Sequence, residues 1–204
     1  MASQHDESSK GRSGQKRKRG PNLSLDEQLA RFLAYVLRHH PDVIGLRLDD
    51  RGLADLDALV QALRVRRKFP DVTREKIERL VVSGPTDQRF EIVGESIRAR
   101  YGHTLQTAVR YEPAQPPPVL FHGTTPQDAG PILAEGLKPR ERQRVHLSSD
   151  AAAAREIGLR RCPDPVILRI DTECASKTGV QFYDAGPAVW LCDGIPAQCL
   201  ARAE

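Results

Sequence analysis

The sequence lacks long apolar runs, and it has few aromatic residues. Phe, Trp and Tyr together make up 5% of its 204 residues, and there is a single Trp. No apolar run approaches the roughly 20 residues that a helix needs to cross a bilayer. The basic start of the chain has no apolar stretch of the kind that a secretory signal requires. These absences predict a cytoplasmic protein that does not associate with a membrane.

Common metal and nucleotide motifs are missing as well. There is no internal repeat and no glycine-rich loop of the Rossmann or P-loop kind. The four cysteines lie at positions 162, 174, 192 and 199, without a C-x-x-C pair or a Cys/His ligand spacing. We therefore expect no metal site, and we expect all four cysteines to be reduced thiols in a cytoplasmic protein.

Positive charge is concentrated at the start of the chain. Six of the 31 Lys and Arg residues lie before Asn22, against two of the 27 acidic residues, which leaves 25 of each sign in the remainder. The segment 1–22 is predicted to be a disordered basic tail that adds weak, salt-sensitive attraction to RNA. Since the remainder is formally neutral, recognition of phosphate there must depend on a few well-placed cations.

The first half of the chain indicates a small helical lobe with a β-hairpin. A capping box at Ser24 opens a helix that Pro41 stops, and shorter amphipathic helices follow Asp55 and Thr73. Alternating residues at 89–93 and 97–101 predict the hairpin, and Leu46-Arg47-Leu48 is expected to supply a small extra strand. Three helices followed by a hairpin are typical of a winged-helix-like RNA-binding lobe, which we place at 23–111.

The second half indicates a different lobe. Residues 112–118 contain four prolines and predict a stiff linker. Short strands are predicted at Val119 to His122, Val145 to Ser148, Val166 to Ile170, Val180 to Tyr183 and Ala188 to Cys192. Helices are predicted after Thr125, ending at Gly136, and after Asp150, ending at Gly158. Residues 119–204 are therefore expected to form a mainly antiparallel lobe, and the fold class to be α+β.

Four short stretches place a cation or a hydrogen-bond donor near the end of a predicted element. They are Leu37-Arg38-His39-His40, Asp87-Gln88-Arg89-Phe90, Phe121-His122-Gly123-Thr124 and Arg142-Gln143-Arg144-Val145-His146-Leu147-Ser148. Taken singly, each has an ordinary explanation, because arginine is common on protein surfaces and a histidine beside an apolar stripe is usually partly buried. Their order along the chain is the more specific signal.

The order of these stretches resembles the RNA 2′-phosphotransferase family, also called NAD⁺-dependent tRNA 2′-phosphotransferases. The likeness covers nearly all of the chain from Leu25 onward. It rests on Leu29 to His39 with Gly45-Leu46 and Asp50-Arg51-Gly52; on Gln88-Arg89-Phe90 with Ile97-Arg98-Ala99 and Gly102-His103-Thr104; and on His122-Gly123-Thr124, Val145-His146-Leu147-Ser148, Val189-Trp190-Leu191 and Ile195-Pro196. The chain departs from the family at Pro187-Ala188, where many bacterial members have Asn-Gly, and at Cys192, where threonine is usual.

The resemblance implies a winged-helix-like lobe joined to an ADP-ribosyltransferase-like, NAD-binding lobe, with RNA and NAD⁺ meeting in the cleft. The family's essential Arg-His-Arg-Arg set maps onto Arg38, His39, Arg89 and Arg142, the expected catalytic residues. In the implied reaction an RNA 2′-phosphate attacks the nicotinamide ribose and expels nicotinamide, leaving 2′-phospho-ADP-ribosylated RNA. The ribose 2″-hydroxyl then attacks the phosphorus, and the products are RNA with a free 2′-hydroxyl and ADP-ribose 1″,2″-cyclic phosphate.

These residue types suit such a reaction on physical grounds. A phosphate monoester is already anionic near neutral pH, so the first step needs no side-chain base. Two anionic reactants must instead be held together, which is a task for fixed arginines with bidentate geometry. No metal is expected, and neither is an obligatory protein partner.

The expected NAD-binding residues are His122, Gly123 and Thr124, by resemblance to the family's H-G-T motif, with Gly136 and Ser148 as further candidates. Gly123 is expected to let the cofactor approach the backbone closely. The alternative for this motif is a strand-end turn with a capping threonine. Arg160-Arg161 resembles a basic pair of many members, and both a phosphate contact and a solvated helix end remain open for it.

Two other classes of protein are considered. A non-enzymatic winged-helix nucleic-acid binder explains the first lobe but not the H-G-T and R-x-R-V-H-L stretches. An ADP-ribosyltransferase that stops after the first step would use the same fold and cofactor. Such enzymes often depend on a carboxylate for weakly nucleophilic acceptors, and no acidic residue lies in a recognised catalytic motif here. This favours an anionic phosphate acceptor, although the RNA that carries it is not specified by the sequence.

Overall fold

A computed structural model describes residues 23–66, 69–83 and 89–203. The predicted basic tail and the motif residues Asp87 and Gln88 lie outside the described residues. Over these residues the protein is mixed α/β, with two antiparallel sheets. The predicted combination of helices and antiparallel strands is therefore confirmed at this level. None of the helices within the described ranges is both long enough and apolar enough to span a bilayer.

The first sheet has three strands and carries three helices. In chain order the elements are α1 (Leu25–Arg38), a 3₁₀ turn (Pro41–Ile44), β1 (Ala54–Asp55), α2 (Leu56–Arg64), α3 (Arg74–Ser83), β2 (Phe90–Val93) and β3 (Ser96–Ala99). The strand order is β1-β3-β2, with Ile92 opposite Ile97 in the hairpin. The extra strand that we expected at residues 46–48 is instead β1, because Ala54 and Asp55 pair with Ile97 and Ser96.

Helix α1 forms as its sequence predicts. The Ser24 hydroxyl accepts a hydrogen bond from the backbone N–H of Glu27, and the Glu27 carboxylate accepts one from the backbone of Ser24, which completes the capping box. Leu33, Val36 and Leu37 are fully buried in the core beneath the sheet. This packing fixes the last turn of the helix, and therefore the position of Arg38, whose carbonyl accepts a hydrogen bond from Thr104.

The second sheet has six strands. Its region contains β4 (Val119–Thr124), α4 (Pro126–Glu135), β5 (Val145–Ser148), α5 (Ala151–Leu159), β6 (Val166–Asp171), α6 (Thr172–Lys177), β7 (Phe182–Asp184), β8 (Val189–Cys192), a 3₁₀ turn (Ala197–Cys199) and β9 (Leu200–Arg202). The order is β7-β8-β5-β4-β6-β9, with antiparallel pairing throughout. Helix α6 and strand β9 were not predicted from the sequence.

The proline-rich segment 112–118 packs along this second sheet. The Ala114 N–H donates to the Phe182 carbonyl at 2.8 Å, and the Thr172 hydroxyl donates to the Pro117 carbonyl at 2.6 Å. The segment is therefore held by hydrogen bonds as well as by its prolines. The domain boundaries that we placed on either side of it stay a prediction.

The expectation of four reduced cysteines was wrong. Cys174 in α6 and Cys199 in the 3₁₀ turn before β9 form a disulfide, whereas Cys162 and Cys192 are free. The two bonded residues are 25 positions apart, and the fold brings their Cα atoms to 5.6 Å. Disulfide bonding depends on this spatial proximity, which the spacing of the cysteines in the sequence does not reveal.

Candidate active site

Arg38 lies at the C-terminal end of α1, and its guanidinium is largely enclosed by protein. The group sits over the Tyr101 ring, 5.1 Å from the ring centroid. Its Nε and Nη2 atoms are buried and meet no hydrogen-bond partner within the described ranges. Burial lowers the pKa of Arg38, and the nearby charges of Arg89 and Arg142 lower it further, against an opposing effect of Tyr101. Buried donors without acceptors beside further cations are the features of an anion-binding site.

His39 is held beside Arg38 by the segment that follows β3. The His39 Nδ1 atom is 2.8 Å from the Thr104 hydroxyl oxygen, and the Thr104 N–H donates to the Arg38 carbonyl at 3.0 Å. Burial lowers the pKa of His39, and the charges of Arg38, His40 and Arg142 act in the same direction. Its imidazole is therefore neutral near pH 7 without a bound anion, and its Nδ1 is already engaged.

The other two arginines approach the same region from different elements. Arg89 immediately precedes β2 and is half-buried, and its carbonyl accepts a hydrogen bond from the Arg100 N–H at 2.9 Å. Arg142 lies in the loop before β5, largely exposed, yet desolvation by its surroundings and then the charge of Arg161 lower its pKa. The structure thus brings Arg38, His39, Arg89 and Arg142 close enough for their charges to interact.

A cavity of about 620 Å³ opens on the second sheet and includes Arg142 in its wall. It is bounded by the end of β4, by α4 and by the loop that leads into β5. The wall carries Lys138, Arg140, Arg142, Arg144 and Arg161 against the two carboxylates of Glu135 and Glu141. The excess of positive charge suits a ligand with phosphate groups, and the volume lies in the range of small-molecule and cofactor sites.

Two histidines present ring nitrogens to this cavity. The His122 Nδ1–H donates to the His146 carbonyl at 2.9 Å, and the His146 Nδ1–H donates to the Arg144 carbonyl at 3.1 Å. Burial is the main cause of the lowered pKa of both rings, and it takes the pKa of His146 to about 3. Each ring is therefore neutral, with Nε2 as a free acceptor, and the His146 Nε2 is buried with no partner among the described residues.

His146 was not among the expected site residues. It lies edge-on to Tyr101, with ring centroids 5.7 Å apart, so it joins the cavity to the Arg38 site. In the sequence, the one indication of a functional role for His146 is its position in the stretch 142–148, where it follows two arginines at the start of a predicted strand. The alternation of β5 alone does not show which face of the strand borders a ligand.

The predicted NAD-binding residues divide into two groups. His122, Thr124 and Gly136 line the cavity, whereas Gly123 and Ser148 do not. A Cβ atom at Gly123 would lie 2.0 Å from the Ala154 carbonyl oxygen, so the packing of α5 on β4 gives a physical reason for glycine there. Ser148 is buried within the sheet, opposite Phe121 and Val189.

Other polar residues lie near the site. His103 is buried, with its Nδ1 3.0 Å from the Tyr111 hydroxyl, and its Nε2 meets no hydrogen-bond partner among the described residues. Of the basic pair at the end of α5, Arg161 lines the cavity and Arg160 does not. In the part of the chain that the structure describes, no three His, Cys, Asp or Glu side chains are grouped so as to hold a metal ion.

The arginines and the basic cavity suit a phosphate-containing ligand, and comparison with known proteins specifies the family. A model of the RNA 2′-phosphotransferase, Tpt1 / KptA family, matches residues 24–194. A "Probable RNA 2′-phosphotransferase" of Thermococcus kodakarensis is 40% identical over 177 residues, which are 87% of this chain and 97% of the relative. One of Pseudomonas fluorescens is 42% identical over 173 residues, 83% of this chain and 93% of the relative.

A third relative gives the same result in another lineage. The "Probable RNA 2′-phosphotransferase" of Rhizobium johnstonii is 36% identical over 178 residues, which cover 87% of this chain and 95% of the relative. The chain belongs to the RNA 2′-phosphotransferase family, a family of transferases, as its motifs predicted.

Proposed function

We propose that this protein removes a 2′-phosphate from RNA by transferring it to NAD⁺ in two steps. One observation carries the proposal: the buried Nε and Nη2 atoms of Arg38 have no acceptor within the described ranges, beside the charges of Arg89 and Arg142. A dianionic phosphate would supply the missing acceptors and relieve the repulsion among the cations. The chain is proposed to act in the cytoplasm, without a metal ion.

The two regions have different proposed roles. The helical region with the three-stranded sheet is proposed to be a winged-helix-like lobe that binds RNA through Arg38, His39 and Arg89. The region with the six-stranded sheet is proposed to be an ADP-ribosyltransferase-like lobe that binds NAD⁺. Its basic cavity of about 620 Å³ contains His122, Thr124 and Gly136, and a dinucleotide with a pyrophosphate fits that charge and volume.

In the first step, a 2′-phosphate oxygen attacks C1″ of the nicotinamide ribose, and the bond from C1″ to the nicotinamide nitrogen breaks. Nicotinamide leaves as a neutral molecule, so no protonation of the leaving group is required. Arg38 and Arg89 orient the phosphate, and their fork geometry holds two of its oxygens at once. The product is RNA with its 2′-phosphate linked to ADP-ribose.

In the second step, the ribose 2″-hydroxyl attacks the phosphorus and releases its proton to water, and the bond from phosphorus to the RNA 2′-oxygen breaks. Arg142 stabilises the charge that develops on the phosphoryl oxygens. His39 donates a proton to the departing 2′-oxygen, since an anion in the site favours the protonated imidazole. RNA with a 2′-hydroxyl and ADP-ribose 1″,2″-cyclic phosphate are the products.

The test is to incubate the full chain with a 2′-phosphorylated oligoribonucleotide, with and without NAD⁺ and in the presence of a chelator. We expect loss of the 2′-phosphate only with NAD⁺, release of nicotinamide and of a cyclic phosphate of ADP-ribose, and no inorganic phosphate. Release of inorganic phosphate, or loss of the phosphate without NAD⁺, would contradict the proposal.

The division of roles has its own test. Arg142→Ala is expected to accumulate ADP-ribosylated RNA, because the second step loses its stabilising charge. Arg169→Ala is the matched control, since Arg169 is an exposed arginine of strand β6 and does not line the cavity. Loss of RNA binding in Arg142→Ala without any intermediate would overturn the assignment of Arg142.

A further inference from the structure

A series of aromatic rings runs from the core of the first region to its surface. The Phe32 ring centroid is 5.6 Å from that of Phe69 and 6.3 Å from that of Tyr35. The Tyr35 centroid is in turn 4.9 Å from that of His40. Phe69 is buried, whereas Tyr35 is 41% exposed and His40 is also exposed. The series is therefore anchored at its inner end and open to solvent at its outer end.

The open end of this series lies beside the proposed phosphate site. Tyr35 precedes Arg38 and His39 by three and four residues on α1, so its side chain lies one turn before theirs on the same helix face. His40 directly follows His39, and its N–H donates to the Tyr35 carbonyl at 3.1 Å. Tyr35 is therefore separated from Arg38 by about one helix turn along the axis of α1.

Two arginines lie near the rings. Arg31 lies one turn before Tyr35 on the same face of α1 and is exposed. The Arg66 guanidinium lies over the Phe32 ring at 5.4 Å and donates to the Val43 carbonyl. The nearby acidic residues include Glu27, one turn before Arg31 on the same helix, and Asp42 in the following 3₁₀ turn.

We propose that the exposed rings of Tyr35 and His40 form a stacking surface for a nucleobase next to the 2′-phosphorylated nucleotide. The inference rests on the proposed function for the identity of the RNA. Single-stranded RNA is commonly bound through bases that stack on aromatic side chains while cations contact its backbone. Every base has a stacking face, so this surface provides affinity without fixing the sequence around the modified nucleotide.

The experiment measures RNA affinity directly and does not depend on turnover. Binding of a short 2′-phosphorylated oligoribonucleotide is followed by fluorescence anisotropy for the wild type, Tyr35→Leu and Tyr35→Phe. We expect Tyr35→Leu to weaken binding about ten-fold, because it removes the ring, and Tyr35→Phe to bind as the wild type does. Val82→Ala is the control, since Val82 is 75% exposed on α3.

A second substrate makes the test specific to stacking. The same oligoribonucleotide is prepared with the bases flanking the 2′-phosphorylated nucleotide removed, and the wild type and Tyr35→Leu should bind it equally. An unchanged affinity of Tyr35→Leu for intact RNA would overturn the proposal, as would an equal loss with both substrates. If Tyr35→Leu binds RNA more weakly but the wild type fails to transfer phosphate to NAD⁺, the stacking surface is supported and the proposed function is refuted.

Discussion

The candidate site has two sides of different chemistry. The side formed by the region of the three-stranded sheet presents hydrogen-bond donors and positive charge. The side formed by the region of the six-stranded sheet presents neutral hydrogen-bond acceptors within a basic cavity. Among the described residues, the buried N–H groups of Arg38 have no acceptor and the buried Nε2 of His146 has no donor. The Tyr101 ring contacts both groups, so they border one space. Each region therefore leaves buried polar groups without hydrogen bonds. A ligand with acceptors at one end and donors at the other would supply those hydrogen bonds.

The largest effect on activity is expected for Arg38, on the donor side of the site. Arg38→Ala should lower kcat by a factor of about 100 to 1,000, the cost of removing a fixed donor from a developing charge. Arg38→Lys should recover little of the activity, because lysine retains charge but not the planar fork. The measurement is single-turnover transfer from a 2′-phosphorylated oligoribonucleotide. Arg47→Lys, an exposed arginine elsewhere in the same region, is the control. Full activity of Arg38→Lys would show that the fork geometry is unimportant.

The next prediction concerns stability and one buried neutral histidine from each region, His103 and His146. Burial lowers the pKa of His103 to about 4 and that of His146 to about 3, from an ordinary 6.5. The unfolded chain therefore takes up protons first as the pH falls below 6.5. The free energy of unfolding should decrease by about 1.4 kcal/mol per pH unit for each ring, down to its folded pKa.

Denaturant unfolding at a series of pH values between 7 and 4 measures this slope. His103→Asn and His146→Asn should each reduce the slope, and the double variant should reduce it by the sum. Comparing variants with the wild type removes the contribution of the carboxyl groups, which titrate in the same range. Slopes parallel to that of the wild type would contradict the burial of these rings.

The two regions also differ in how far the sequence predicts them. Helix α1 and the β2–β3 hairpin follow from local signals, namely the capping box at Ser24, the apolar stripe and the alternation of residues 89–93. The cavity of the second region is built mainly by α4 and the irregular segment 136–144, which has no period. Arginines of this cavity could therefore be identified as candidates only from the order of the motifs. Arg140 and Arg144 were not predicted to be site residues.

Contacts between distant residues explain the other differences. Cys174 and Cys199 meet only after the sheet has placed β9 beside β6. Gly123 was predicted to contact the cofactor from its neighbours in sequence, whereas the structure places it against Ala154 on α5, with α4 and β5 between them in the chain. Such pairings depend on the tertiary arrangement, which local propensity and period do not determine.

A smaller effect on activity is expected where Thr104 holds His39. Thr104→Val removes the hydroxyl at constant shape and should lower kcat about ten-fold, because the His39 ring loses the partner that fixes its orientation. The KM for NAD⁺ should stay unchanged, since Thr104 lies outside the cavity. Thr104→Ser retains the hydroxyl and should recover activity, and exposed Thr107→Val is the control. Equal activity of the Val and Ser variants would exclude a positioning role.

The smallest expected effect lies in the turn between β7 and β8, where the second region meets the first. Ala188 has a φ of 61°, a left-handed conformation that costs an alanine about 1 kcal/mol. Ala188→Gly relieves this strain but increases the freedom of the unfolded chain, so the free energy of unfolding should rise by only about 0.5 kcal/mol. Gly186→Ala in the same turn is the opposite control: Gly186 has a φ of 109°, and a Cβ atom there would lie 3.0 Å from the Arg100 Cδ atom. The unfolding temperatures of the two variants should therefore shift in opposite directions from that of the wild type. A lower unfolding temperature for Ala188→Gly would show that Ala188 is not strained.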